Sequence, residues 1–195
     1  MLSAAYQMSS DISAEAAEQD PGNRFLSHFS RRRLDVEEMR DSMLALDGTL
    51  DLTMGGTLQR GTGTDGENSA GRLSIDPSTS KRRTVYLPLR RSNLPSLLNL
   101  FDFGDATTTC EGRALTNTAP QALFMMNSAF VNDRSAALAK ELTGHVDLLY
   151  QRILDRLPTP AERDDALGYI QKTGDHGWQS LARILLSSNE FIYVD

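Results

Sequence analysis

Residues 81–131 read KRRTVYLPLRRSNLPSLLNLFDFGDATTTCEGRALTNTAPQALFMMNSAFV and carry more structural information than any other part of the chain. They contain arginine pairs, two apolar runs of helix length, a carboxylate-rich turn and the single cysteine. The turn lies between the two apolar runs. Because a polar segment that satisfies its own hydrogen bonds becomes rigid between packed helices, we predict that this turn has one defined shape.

Signals for α-helices dominate on both sides of this segment. Asp35 and Glu38 form a capping box at the start of a predicted helix over 35–47, and Gly48 follows as a stop signal. Further helices are predicted over 94–103, 120–126, 129–142, 146–157, 160–170 and 178–185 from apolar residues at helical spacing. Side chains expected to point inward include Phe25, Leu26, Phe29, Leu123, Ile153 and Leu185.

The predicted fold class is mainly α, an irregular helical bundle with a long flexible loop and at most a short edge strand. The strand would be TVYLPLR (84–90), where Pro88 restricts it to a sheet edge. Residues 55–80 are rich in Gly, Ser and Thr, and we predict a disordered insert. Residues 1–22 are interpreted as the remnant of an upstream helix with a surface connection, and 23–195 as a single helical C-terminal domain.

Composition excludes several classes of function. The 26 acidic and 20 basic residues give a net charge of −6, which argues against a nucleic-acid-binding protein. No apolar run is long enough to cross a bilayer. The start, MLSAAYQMSSDISAEAAEQD, lacks the basic and apolar regions of a signal peptide. One cysteine without a C-x-x-C-H motif provides neither an internal disulfide nor a c-type haem, so no cofactor is predicted in this chain.

Three basic clusters are candidates for an anion site: 31–33, 81–83 and 90–91. Guanidinium groups bind phosphate, sulfate or carboxylate through paired hydrogen bonds, so clusters that converge would form such a site. Alternatively, each cluster is a solvated flank paired with a nearby acid such as Asp35, Glu37, Glu38 or Asp102. The residues that we single out for the anion site are Arg90, Arg91, Asp102 and Arg113.

The carboxylates of Asp102, Asp105 and Glu111 could serve acid–base chemistry or cation binding, but short Asp-containing turns have the same composition. Cys110 would be a nucleophile only if a histidine approached it, and a lone cysteine is more often a small apolar residue. The sequence has no zinc spacing, phosphate-binding loop or dinucleotide fingerprint. We therefore predict no metal site, and whether the chain is an enzyme stays open.

Four blocks, in this order, resemble one family: RRRLDVEEMRDSMLALDG (31–48), RRTVYLPLRRSNLPSLLNLFDF (82–103), APQALFMMNSAFV (119–131) and LARILLSSNEFIYVD (181–195). It is the C-terminal domain of unknown function 1553 of large planctomycete proteins that often carry a cytochrome-c-like domain. The resemblance covers nearly the whole chain except residues 55–80. In similar sequences the block after Cys110 contains positions that match Arg113 and Gln121, without a known role.

The resemblance implies an exported, multidomain bacterial protein, periplasmic or at the cell surface, with haem possible in an upstream region. The expected function is a helical module with a binding or assembly role, whose partners are upstream domains of the same protein. The alternative is a hydrolase-like enzyme acting on an acidic or sulfated polysaccharide, with a glycan or anion as ligand.

Overall fold

The computed structural model describes residues 3–54, 79–87, 89, 94–104, 108–109 and 111–194. The α-helices are α1 (Ala14–Gln19), α2 (Val36–Leu46), α3 (Ser96–Leu100), α4 (Ala119–Asn127), α5 (Ala129–Leu142), α6 (Val146–Leu154), α7 (Pro160–Thr173), α8 (Gly177–Leu186) and α9 (Asn189–Ile192). Single turns of 3-10 helix span Ala4–Gln7, Thr84–Tyr86 and Gly174–His176. Two short strands, β1 (Arg32–Arg33) and β2 (Tyr193–Val194), form an antiparallel pair. The predicted mainly α class is confirmed.

Helix α8 is the centre of the bundle and contacts α4, α5, α6, α7 and α9. Its Leu181, Ala182 and Leu185 are buried on one face, as an amphipathic helix requires. Gly177 begins the helix, and a Cβ at this position would lie 2.8 Å from the Cα of Ile170 in α7. Only glycine therefore allows this close approach of the two helices.

Capping residues set the helix starts much as the sequence predicts. In α2 the backbone N–H of Asp35 donates to Glu38 Oε2 at 2.9 Å, which confirms the capping box. In α5 the Ser128 hydroxyl accepts from the Val131 N–H at 3.3 Å. Gly144 follows α5 with a φ of +90°, a conformation that ends helices and favours glycine.

The predicted edge strand is not formed where we placed it. Thr84–Tyr86 is a 3-10 turn instead; Pro88 and Arg90 lie outside the described residues. The Thr84 N–H donates to both carboxylate oxygens of Asp41 in α2 at 3.0 Å, so a side chain takes the hydrogen bond that a sheet would otherwise supply. The strand pair that does form, β1 with β2, joins residues far apart in sequence: Arg32 lies opposite Val194, and Arg33 lies opposite Tyr193.

Burial agrees only partly with the inward positions that we predicted. Ile153 and Leu185 are 6% and 5% exposed, as expected. Leu123 is 57% exposed, which contradicts the prediction. The reason is that α4 turns a different face to the core, the one that carries Gln121 and Met125. The 3.6-residue period therefore identified the helix but not which side packs.

The segment before β1 is held by polar contacts rather than by apolar burial. Phe25 and Leu26 are 84% and 59% exposed, contrary to prediction. The buried carboxylate of Asp20 instead accepts hydrogen bonds at 2.8 Å from the N–H groups of Arg24 and Phe25. A buried acid that binds backbone amides fixes this turn without an apolar anchor.

Residues 55–78 of the predicted insert lie outside the described residues, so its disorder and the domain bounds stay predictions. The chain on either side of this stretch is brought together. The N–H of Asp51 donates to the Lys81 carbonyl at 2.8 Å, and the Arg82 guanidinium donates to the Thr53 carbonyl at 2.5 Å. Within the described part of the chain, no helix combines the length and apolarity that a bilayer crossing needs.

The N-terminus of α7 provides a prediction about pH. The pKa of Glu162 is lowered to about 2 from 4.5, by hydrogen bonds from Arg156 first and then from the Thr159 N–H. Because the folded-state pKa is below its usual value, this stabilisation is present above about pH 4.5 and disappears as the pH falls towards 2. We expect Glu162→Gln to lower the Tm slightly at pH 7, since exposed pairs contribute about 0–1 kcal/mol. The measurement is thermal unfolding of both proteins from pH 7 to pH 3.

The difference in Tm between wild type and Glu162→Gln should narrow steadily below about pH 5, because a protonated glutamic acid resembles glutamine. The glutamine can still accept from the Thr159 N–H, so the helix cap is retained. A difference that is the same at pH 7 and pH 3 would show that the ion pair with Arg156 contributes nothing.

Candidate functional site

A cleft of about 870 Å³ lies beside α4, where β1 and β2 meet the turn between α8 and α9. We call it the α4 cleft. Arg33, Phe101, Gln121 and Met125 line its buried part, and Arg31, Asn117, Ala122, Met126, Asn189 and Tyr193 are among the more accessible lining residues. Its volume falls in the usual range of ligand-binding clefts, roughly 300–1,000 Å³.

The buried part of the cleft is held by a polar node of Arg33, Asp102, Thr116 and Gln121. Arg33 is only 5% exposed. Its Nη2 donates to Asp102 Oδ2 at 2.8 Å, and its Nη1 donates to Gln121 Oε1 at 3.0 Å and to the Thr116 carbonyl. The guanidinium thus connects β1 to the turn after α3 and to the start of α4.

Asp102 is placed in this node by an unusual backbone conformation. Its φ of +59° lies in the left-handed region, which aspartate tolerates better than most residues. The carboxylate accepts from the Thr116 N–H at 2.9 Å and from the Thr116 hydroxyl at 2.8 Å. Burial raises the pKa of Asp102, but the hydrogen bonds from Thr116 and Arg33 outweigh it and the net pKa is lowered. Asp102 is therefore ionised at neutral pH.

Gln121 completes the node and starts α4 at the same time. Its Oε1 accepts from the Thr118 N–H at 3.1 Å as the distal half of a capping box. Its Nε2 donates to the Leu100 carbonyl at 2.8 Å. The sequence analysis noted Gln121 without a role, although the spacing Thr118-x-x-Gln121 is a capping-box pattern that could have identified it.

Of the four residues of the predicted anion site, the structure describes Arg113 and Asp102, and it places them in different settings. Arg113 donates to both carboxylate oxygens of Glu37 at 2.7 and 2.8 Å and lies 4.6 Å from the Phe103 ring. Asp102 belongs to the polar node. Arg90 and Arg91 lie outside the described residues, as do Asp105 and Cys110. The four-residue anion site therefore stays a prediction.

The basic cluster 31–33 is divided among three separate acids. Arg32 pairs with Glu38 at 2.9 Å and Arg33 with Asp102 at 2.8 Å, as the alternative interpretation of paired flanks expects. Arg31 pairs loosely with Asp11 at 3.6 Å, at a position where both side chains are exposed. Consecutive residues of a strand point to opposite sides, so Arg31 and Arg33 both line the α4 cleft whereas Arg32 does not.

The three histidines lie in different parts of the fold: His28 before β1, His145 at the start of α6 and His176 in the 3-10 turn before α8. His145 and His176 are exposed, and the ring of His28 contacts the Ser27 hydroxyl at 3.2 Å. Over the described ranges, no group of three or more His, Cys, Asp or Glu side chains has an arrangement that could hold a metal ion.

Comparison with known protein families gives one match. The family described as PSD1, protein of unknown function (DUF1553), matches residues 1–170. This agrees with the resemblance carried by the blocks at 31–48, 82–103 and 119–131, while the block at 181–195 lies beyond the matched residues. Neither a curated protein nor a solved structure matches the chain. Since the match covers well over half of its length, the chain belongs to the PSD1 family of proteins of unknown function (DUF1553).

Proposed function

We propose that this chain is a non-catalytic helical module of a larger, exported, multidomain bacterial protein, where it binds or assembles with upstream domains. In this proposal one of those domains is cytochrome-c-like and holds the haem. The export, the planctomycete source and the cytochrome partner rest on the sequence resemblance. The module role rests on how the described charged groups are used.

The observation that carries the proposal is the polar node at the back of the α4 cleft. Arg33 and Gln121 are the buried polar residues that line the cleft, and both are hydrogen-bonded to Asp102 or to each other within the protein. These bonds join β1, the turn after α3 and the start of α4. Such a network positions backbone segments, so these side chains have a structural role in the protein.

Asp102 does not have the properties of the general acid that the hydrolase alternative requires. A general acid that cleaves a glycosidic bond must hold a proton near neutral pH, which requires a raised pKa. The pKa of Asp102 is lowered, and so is that of Glu162. These carboxylates suit ion pairing and amide binding rather than proton donation.

The test of the module role is assembly with the partner that the proposal names. The chain and the cytochrome-c-like domain of the same protein would be expressed separately, mixed and analysed by size-exclusion chromatography and thermal unfolding. We expect a complex that elutes together and a Tm that rises with partner concentration, because binding to the folded state stabilises it. Separate elution with unchanged Tm would contradict the role.

Incubation with sulfated and uronic-acid polysaccharides distinguishes the module role from the hydrolase alternative. We expect the wild-type chain to release no reducing ends above the buffer control. Release that is abolished in a folded Asp102→Asn variant would replace the proposal with the hydrolase alternative.

A further inference from the structure

A second depression, of about 480 Å³, is lined by α5, by the end of α7 with the 3-10 turn that follows it, and by the start of α8. It shares no described lining residue with the α4 cleft. We call it the Trp178 groove, after the only tryptophan in the sequence. Its volume lies within the range of roughly 300–1,000 Å³ that is usual for small-molecule sites.

The groove has room beside the indole because the residues around it are small. Ala136 and Ala139 of α5 contribute only methyl groups, and Gly174 contributes no side chain. A Cβ added at Gly174 would have no atom within 4 Å, so this side of the groove is open. Trp178 itself is half-buried and packs against the core, which fixes its orientation. The groove therefore contains part of a rigidly held aromatic ring.

Four polar groups of the groove have hydrogen-bonding capacity that the described part of the chain does not use. Lys140 and Asp175 are exposed, and neither side chain has an ion pair or hydrogen bond within the described residues. The indole N–H of Trp178 likewise has no acceptor there, and it reaches solvent. Gln179 donates through Nε2 to the Asn132 carbonyl at 3.3 Å, which leaves its Oε1 as an acceptor. The groove thus offers two donors and two acceptors.

The balance of these groups indicates the class of ligand. The charges of Lys140 and Asp175 cancel, whereas a site for phosphate or sulfate needs an excess of cationic donors. A quaternary ammonium group is bound by a cage of aromatic faces, and among the described lining residues only Trp178 supplies one. A sugar fits both features of the groove. Its hydroxyls donate and accept, and the weakly positive C–H groups of its ring stack on the negative face of an indole.

We propose that the Trp178 groove binds a neutral carbohydrate, with one sugar ring on the indole of Trp178 and hydroxyl groups hydrogen-bonded to Lys140 and Asp175. Both charged groups then gain partners that they lack in the free chain, and hydrogen bonds to charged groups are stronger than neutral ones. The inference goes beyond the assembly role and does not rest on it, because binding in this groove requires no other domain.

The test uses the single tryptophan as the reporter, because selectively excited tryptophan emission comes only from Trp178. The full chain is titrated with neutral oligosaccharides of glucose, galactose, mannose, xylose and N-acetylglucosamine, and separately with an oligogalacturonate and with choline chloride. Binding is followed by fluorescence and in parallel by calorimetry, which also detects ligands that bind elsewhere on the chain.

The variant Lys140→Ala/Asp175→Ala removes both charged partners but keeps the net charge and the tryptophan. Its matched control is Asp164→Ala/Lys172→Ala, at exposed positions of α7 that do not line the groove. We expect at least one neutral oligosaccharide to change the emission saturably. Its affinity should fall about tenfold or more in the groove variant and stay within about twofold in the control. Unchanged thermal unfolding confirms that both variants are folded, since all four positions are exposed.

Four results would overturn this inference. They are no binding of any neutral oligosaccharide, equal affinity of the groove variant and wild type, a response to the oligogalacturonate or choline alone, and heat of binding without a change in emission. The last result would place the sugar at another site. None of the four bears on assembly with the cytochrome-c-like domain, so the two proposals fail separately.

Discussion

Replacing Arg40 by methionine is expected to lower the Tm more than any other single substitution considered for this protein. Arg40 lies in α2 and is 0% exposed. Its Nη1 donates to Asp41 at 2.9 Å, to the Thr84 hydroxyl at 3.0 Å and to the Arg82 carbonyl at 2.9 Å, and its Nη2 donates to the Ser80 carbonyl at 2.5 Å. This one side chain therefore attaches the segment 80–84 to α2.

The expected loss follows from the groups that Arg40→Met leaves behind. Methionine fills much of the volume but donates no hydrogen bond, so the carbonyls of Ser80 and Arg82 lose this donor. The largely buried carboxylate of Asp41 loses its ion pair and keeps only the hydrogen bonds from Thr84. Removing one member of a buried ion pair costs about 3–5 kcal/mol. For a domain of this length each kcal/mol lowers the Tm by about 2–4 °C, so we expect a fall of roughly 6–20 °C in thermal unfolding.

Arg152→Met is the matched control, because it removes an arginine from a surface ion pair. Arg152 and its partner Glu141 have side chains 45% and 50% exposed and lie 2.8 Å apart. Exposed pairs contribute about 0–1 kcal/mol, so this Tm should hardly change. Equal shifts in the two variants would mean that the network around Arg40 does not hold 80–84 on α2.

Arg33→Met is expected to have the second largest effect, because it removes the centre of the polar node. The loss should be about 3 kcal/mol, the low end for a buried pair, since Arg33→Met leaves one backbone carbonyl without this donor where Arg40→Met leaves two. The Tm would then fall by roughly 6–12 °C. The shape of the α4 cleft should also change, because Arg33 holds the Gln121 side chain at the start of α4.

A double-mutant cycle with Asp102→Asn separates the ion pair from the other contacts of Arg33. Asparagine tolerates the left-handed backbone at this position, so the turn is preserved. Once Arg33 is absent, Asp102→Asn should cost less than it does in the wild type, with a coupling of about 0.5–3 kcal/mol between the contacting residues. Strictly additive losses would show that the two side chains are not coupled.

The helix starts were predictable because they depend on neighbours in sequence. Asp35 with Glu38, and Thr159 with Glu162, satisfy amides three residues away, so the pattern of letters contains the whole interaction. The mainly α class was predictable for the same reason. The burial of Leu185 in α8 was predictable from the helical periodicity of apolar residues alone, because α8 has one strongly apolar face.

The candidate site was less predictable because its contacts join distant residues. Arg33 meets Gln121 across 88 positions and Asp102 across 69, and no local pattern encodes such pairs. The exposure of Leu123 could not be predicted from the sequence either. Helix α4 has two apolar faces, and periodicity cannot choose between two faces that both fit the rule.

The sequence by itself determined the longer helices and where most of them begin, because capping and periodicity are interactions over three or four residues. It also carried the family resemblance in the letters of its conspicuous blocks. Only the tertiary structure decided that Arg40 and Arg33 are buried, that β1 pairs with β2, and that Leu123 of α4 is exposed. These outcomes depend on which surfaces meet when distant helices pack. Burial is a property of the assembled bundle, whereas helical spacing is a property of the chain.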